Sequence, residues 1–145
     1  MYNGLVHAHS GLRWVVLILL LVAIFNAFSK KKAGVWTAKD KKITLFTMIF
    51  THLQLVLGLV LYFISEKVQF VEGFMKNPVY RFYAVEHISL MLIAIALITI
   101  GYSKSKRAET DAKKFGAVAT FYLIGLILIL ISIPWPFRDL GAAWF

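Results

Sequence analysis

The chain has 145 residues, of which 60% are hydrophobic and only 16% are charged. Its mean hydropathy of +0.76 is higher than soluble globular domains show, so a water-soluble enzyme is not expected. There is no cysteine, which excludes disulfides, thiolate metal sites and covalent haem attachment through cysteine. The net charge of +9 lies mostly in two short runs between apolar segments, without a basic face interleaved with aromatic residues, so no nucleic-acid partner is expected.

Four apolar segments are long enough to cross the ~30 Å hydrocarbon core of a bilayer at ~1.5 Å per helical residue. Lipid offers no partner to backbone polar groups, so these segments are expected to be helical. Short loops make neighbouring helices antiparallel, and the first and third helices should then be diagonal. We predict an all-α, single-domain, integral membrane four-helix up-down-up-down bundle over residues 1–145, with spans at 6–28, 43–64, 80–102 and 115–133.

The basic residues between the spans predict the orientation. The first loop holds six lysines within residues 30–42, and the third holds five basic residues within 104–114. The middle loop has only Lys67 and Lys76, which two glutamates offset. The positive-inside rule therefore places the first and third loops in the cytoplasm and both termini outside, an N-out/C-out topology. The start of the chain lacks the features of a cleaved signal peptide, so we expect the first span to be retained, in a multi-pass protein of a bacterial inner membrane.

Several ionisable residues lie inside the predicted spans, where each costs about 2.5–3.5 kcal/mol on insertion scales and indicates a functional site. Counting residues from the outer end places His9 and His87 at similar depths, ~6–10 Å, on the diagonal first and third helices. His52 is deeper, at ~18 Å and near the midplane. The others are Arg13, Arg81 and Glu86.

A b-type haem needs two axial imidazoles on opposite faces of its ring, held by helices that can stand apart. His9 with His87 meets this requirement best, and His52 with His87 is the second choice. The propionates would lie toward the outer surface, where Arg81, Lys76 and Arg138 are candidates to neutralise them. Arg13 is expected to meet Glu86 or a propionate. For each histidine the alternative is packing against a backbone carbonyl, and Glu86 with Arg81 or Arg13 could be a structural ion pair.

Four stretches carry a family resemblance. They are His9-Ser10-Gly11-Leu12-Arg13-Trp14, the His52-Leu53-Gln54 run that leads to Gly58 and Tyr62, the Glu86-His87 pair and Pro134-Trp135-Pro136. Together they resemble small membrane proteins of Bacteroidetes-type bacteria that carry the label "cytochrome B". The resemblance covers nearly the whole chain and implies a four-helix haem-binding or quinone-linked electron carrier, with His9, His52 and His87 at the matching positions. A more distant similarity is to one half of haem A synthase, whose Glu-x-x-His spacing is absent here.

Three functions follow as hypotheses. The first is a haem b electron-transfer protein or respiratory-chain subunit, embedded in lipid and passing electrons between quinol and a partner subunit. The second is a cofactor-free accessory subunit of a larger membrane complex, suggested by the small size and the tail rich in Trp and Pro. The third is a small transporter or proton-conducting bundle, suggested by Arg13, His52 and Glu86.

Overall fold

The computed structural model describes all residues from Met1 to Phe145 and contains no strands. Four helices are long and apolar enough to cross a membrane, as predicted. Three of them contain the whole predicted span, and the last stops one residue short of it, because Ile133 precedes Pro134 and adopts extended backbone (φ −70°, ψ 132°). The helices are α1 (Tyr2–Lys30), α2 (Ala38–Ile64), α3 (Pro78–Arg107) and α4 (Asp111–Ser132).

The four helices form an up-down-up-down bundle. α1 packs against α2 and α4, and α3 packs against the same two helices, so α1 and α3 are diagonal, as predicted. Both chain termini lie at one end, and the two basic loops lie at the other. Large apolar side chains such as Ile18, Phe25 and Phe63 cover the outside of the bundle, which suits a lipid environment. The chain is therefore a multi-pass membrane protein.

The basic end of the bundle is fixed by one buried carboxylate. Asp40 is fully buried and accepts hydrogen bonds from Asn26 and Lys30 near the end of α1, each at 2.7 Å. It also accepts from the backbone N–H of Thr37, whose own side chain accepts from the backbone N–H of Asp40. This capping box begins α2 and ties it to α1.

Small residues allow α3 and α4 to approach closely. A Cβ added at Gly125 would lie 2.8 Å from Cγ1 of Ile98, and one added at Gly101 would lie 2.6 Å from Cβ of Phe121. Helix association in lipid depends on such close packing, because the hydrophobic effect gives little driving force between helices there.

We expect Gly125→Val to destabilise the bundle by about 1–3 kcal/mol, because the new side chain has to displace Ile98. Gly11→Val is the matched control, since a Cβ at Gly11 meets no atom within 4 Å. Reversible unfolding in mixed micelles of increasing denaturing detergent measures both variants. Equal stability of the two would contradict the packing account.

Candidate functional site

A cavity of about 330 Å³ lies in the half of the bundle that holds the termini, between all four helices. We call it the outer cavity, after the predicted orientation of the chain. Its walls are mostly apolar, and the tail residues Gly141–Ala143 and Phe145 contribute to its mouth. No aspartate or glutamate lines it. Its nitrogen-bearing side chains are His7, His9, Arg13, Gln54, Lys67 and His87.

A π-helical turn over Phe82–Glu86 interrupts α3 immediately before His87. Such turns are rare and are often found at functional sites, because the wider turn redirects the following side chains. Tyr62 of α2 donates its hydroxyl to the carbonyl of Ala84 within this turn, at 2.9 Å. The turn is thus held by a neighbouring helix, and with it the direction of His87.

His87 is oriented by the end of α4. Its Nδ1 lies 2.7 Å from the carbonyl oxygen of Ser132. That carbonyl is free to accept because Ser132 is the last residue of its helix. A carbonyl only accepts, so we assign the proton of the neutral imidazole to Nδ1, which leaves Nε2 as a lone-pair donor. Histidines that ligate a metal commonly donate their other ring N–H to a backbone carbonyl in this way.

His9 faces His87 across the cavity. The two ring centroids are 6.4 Å apart, with the rings at 76° to one another. Nδ1 of His9 is buried and has no hydrogen-bond partner. Gly58 of α2 makes room for this ring, since a Cβ there would lie 3.1 Å from its Cε1 atom. Gln54, one turn earlier on α2, donates to the His9 carbonyl at 2.8 Å.

Arg13 is buried, with only 8% of its surface exposed, and lies without a carboxylate partner. It donates to the carbonyl oxygen of Trp144 at 2.6 Å, and its guanidinium carbon lies 5.4 Å from the ring centroid of Trp14. Of the two ion pairs that the sequence allowed for Glu86, the one with Arg13 is wrong. Glu86 pairs instead with Arg81 at 2.7 Å, because the π turn brings residues five apart onto one face of α3.

Three buried side-chain polar atoms in the chain lack a hydrogen-bond partner: Nδ1 of His9, Nε of Arg13 and Oε1 of Gln54. All three belong to residues that line the same cavity. Native proteins leave few buried polar atoms unpaired, and each one requires a reason. Their convergence makes the cavity able to hydrogen-bond with the polar groups of a bound molecule.

The tail closes the mouth of the cavity through its backbone carbonyls. The carbonyl of Trp144 accepts from Arg13 and, at 3.1 Å, from the indole N–H of Trp14. The hydroxyl of Tyr83 donates to the carbonyl of Leu140 at 3.1 Å, and the ammonium of Lys67 donates to that of Gly141. Partial burial lowers the pKa of Lys67 from its ordinary value.

Lys67 was not predicted as a site residue, since its position in the sequence marks it only as a loop charge.

Of the predicted residues, the structure brings His9, His87 and Arg13 to the cavity and places Arg81 and His52 outside it. Nδ1 of His52 lies 2.8 Å from the Met48 carbonyl of its own helix. Its Nε2 lies 3.3 Å from the hydroxyl of Thr99. Both ring nitrogens of His52 therefore have protein partners, as expected for a histidine that packs between helices. No group of three or more His, Asp or Glu side chains converges as a metal-ion site would require.

No protein-family model matches the chain, and neither the curated proteins nor the solved structures contain a significant match to it.

Proposed function

We propose that the protein is a membrane b-type haem protein that transfers electrons, with His9 and His87 as the axial ligands. The observation that carries this proposal is the facing pair of imidazoles on diagonal helices, each with a ring nitrogen free of protein partners. Four-helix bundles build cofactor sites in their core from side chains on facing helices, and histidine is a common ligand of haem iron.

The donor set fits this group. His87 already has the carbonyl partner that fixes the tautomer of a metal-ligating histidine, and His9 has an unpartnered nitrogen and a glycine that makes space for its ring. The pair alone could not hold a structural zinc ion, which takes four ligands. Two imidazoles without further ligands suit a metal whose remaining positions a porphyrin fills.

The charges of the cavity support an acidic ligand. Arg13 and Lys67 line it and no aspartate or glutamate side chain does, so its lining side chains carry excess positive charge in a medium of low dielectric constant. A buried cation without a counter-ion is unfavourable, and a ligand carboxylate would offset that cost. Haem brings two propionates. We assign their neutralisation to Arg13 and Lys67 in place of Arg81, which already pairs with Glu86.

Bound haem would supply one-electron chemistry, and His9 and His87 are the side chains that would hold its iron. The protein's own groups account for the rest. The carbonyl of Ser132 orients His87, Gln54 fixes the backbone at His9, and the tail restricts the entry of water. Low solvent access and hydrogen bonds to the ligands are the means by which proteins set a redox potential.

A quinone is the second candidate ligand of the same cavity. The walls are mostly apolar, and the unpartnered Nε–H of Arg13 could donate to a quinone carbonyl. A quinone carries no carboxylate, so this reading leaves both cations of the cavity without a counter-ion. We therefore favour a role for quinone as an electron-transfer partner over a role as the ligand bound in this cavity.

Titration of the purified protein with hemin in a mild detergent tests the proposal. We expect saturation at one hemin per chain, with quenching of tryptophan fluorescence, because Trp14 and Trp144 both contact Arg13, which lines the cavity. A short-chain quinone should not prevent saturation. Displacement of hemin by stoichiometric quinone would favour the second candidate. A linear, unsaturable response would contradict the haem proposal and favour a cofactor-free accessory subunit.

A further inference from the structure

A second cavity, of about 200 Å³, lies at the opposite end of the bundle, beside the two basic loops. We call it the basic cleft. It is formed where the first loop meets α2, α3 and α4. Its lining side chains are basic, aromatic or hydroxyl-bearing and include no carboxylate: Trp36, Lys41, Tyr102, Ser105, Lys106 and Lys114.

The positive charge around the basic cleft is not balanced by the protein. The segments 30–42 and 104–114 hold eleven basic and three acidic side chains. Of the acidic ones, Asp40 is buried against Lys30 at 2.7 Å, and Asp111 lies 3.3 Å from Lys114. Lys41 and Lys106 take part in no ion pair, although they extend from different helices into the same cleft. Like charges brought together without a counter-ion repel, so this arrangement favours an anion between them.

The walls of the basic cleft are held in place and present neutral donors beside the charges. The backbone N–H of Trp36 donates to Asp111 at 3.1 Å, and its ring packs 4.9 Å from that of Phe115. The hydroxyl of Ser105 donates to the carbonyl of Tyr102 at 2.8 Å. Neither the indole N–H of Trp36 nor the hydroxyl of Tyr102 donates to a protein group, so both are available to a ligand oxygen. Aromatic side chains of this kind are common at the level of lipid headgroups.

We infer that the basic cleft binds a phosphate group, carried by the headgroup of an anionic phospholipid or by free inorganic phosphate. Lysine ammonium groups bind phosphate as point charges, and Tyr102 and Trp36 add hydrogen bonds to its oxygens. The cleft lies at the end of the bundle that the positive-inside rule places in the cytoplasm, where the leaflet is rich in anionic lipid. The cleft is independent of the haem proposal, because it shares no residue with the outer cavity.

Thermal unfolding of the purified protein in a nonionic detergent tests this inference. The additives are dioleoylphosphatidylglycerol, dioleoylphosphatidylcholine and sodium phosphate, at constant ionic strength. We expect phosphatidylglycerol or inorganic phosphate to raise the Tm by at least about 3 °C through preferential binding to the folded state. The double variant K41Q/K106Q should lose at least half of that shift.

The control K39Q/K113Q removes two positive charges from the same end of the bundle, one on α2 and one on α4, without altering the lining of the basic cleft. It should keep the full shift. A shift with phosphatidylglycerol alone identifies a lipid headgroup, and a shift with inorganic phosphate alone identifies a soluble source. The inference is overturned by equal shifts with phosphatidylcholine, by equal losses in both double variants, or by no shift at all. Phosphorus retained per chain after detergent exchange provides a second readout, which should fall in K41Q/K106Q alone.

Discussion

Replacing His87 by Asn is expected to lower haem affinity more than about 100-fold, since loss of a ligand should exceed the 10–100-fold cost of losing a group that only orients a ligand. Asparagine carries its amide N–H on Cγ, as histidine carries Nδ1, so it can still donate to the Ser132 carbonyl and keep the contact between α3 and α4. The side chain has no imidazole nitrogen to ligate the iron. Hemin titration followed in the Soret region measures the affinity.

His87→Ala provides the complementary test. It leaves the buried Ser132 carbonyl unpaired, which costs about 1–3 kcal/mol of stability in addition to the lost ligand. Imidazole added to the solution should partly restore haem binding to this variant by occupying the vacated space. His52→Ala is the matched control, because His52 lies outside the outer cavity, and it should bind haem as the native chain does. Equal loss in the His52 and His87 variants would contradict the assigned pair and favour ligation by both.

The second large effect is expected at Gly58. Leucine at this position would project into the His9 ring, whose Cε1 already lies 3.1 Å from the position of an added Cβ. We expect Gly58→Leu to reduce bound haem to less than a tenth, because the displaced His9 can no longer face His87. Glycine is about 0.8–1 kcal/mol less favourable in a helix than alanine, and leucine ranks just below alanine, so the helix content should not fall.

Gly11→Leu is the control for Gly58→Leu. Gly11 lies within α1, where a Cβ meets no atom within 4 Å, so haem binding should be unchanged. Haem per chain by the pyridine haemochrome assay and helix content by circular dichroism give the comparison. Native haem content in Gly58→Leu would show that the space beside His9 has no role in binding.

The apolar runs predicted where the four helices lie, but not how far they extend. α1 continues to Lys30 and α3 to Arg107, both in basic segments that lie beyond the apolar runs. Hydropathy reports only the part of a helix that lipid would cover. The capping box of Thr37 and Asp40 explains why α2 begins five residues before its predicted span.

Counting helical residues from the outer end predicted that His9 and His87 would be level on diagonal helices, and the structure brings their rings to 6.4 Å. The partner of Arg13 could not be found in this way. Its acceptor, the carbonyl of Trp144, is 131 residues distant and lies on a tail whose path depends on tertiary contacts. The π turn could not be predicted either, because no residue pattern distinguishes it from ordinary helix. This turn nevertheless brings Glu86 to Arg81.

The central claim is that His9 and His87 hold one haem b in the outer cavity. A reduced-minus-oxidised absorbance spectrum of the native protein, purified from haem-sufficient cells, tests it most directly. We expect a single sharp α-band of the b type, with one haem per chain and no change on adding carbon monoxide, because His9 and His87 would both ligate the iron. A colourless preparation without iron would contradict the claim.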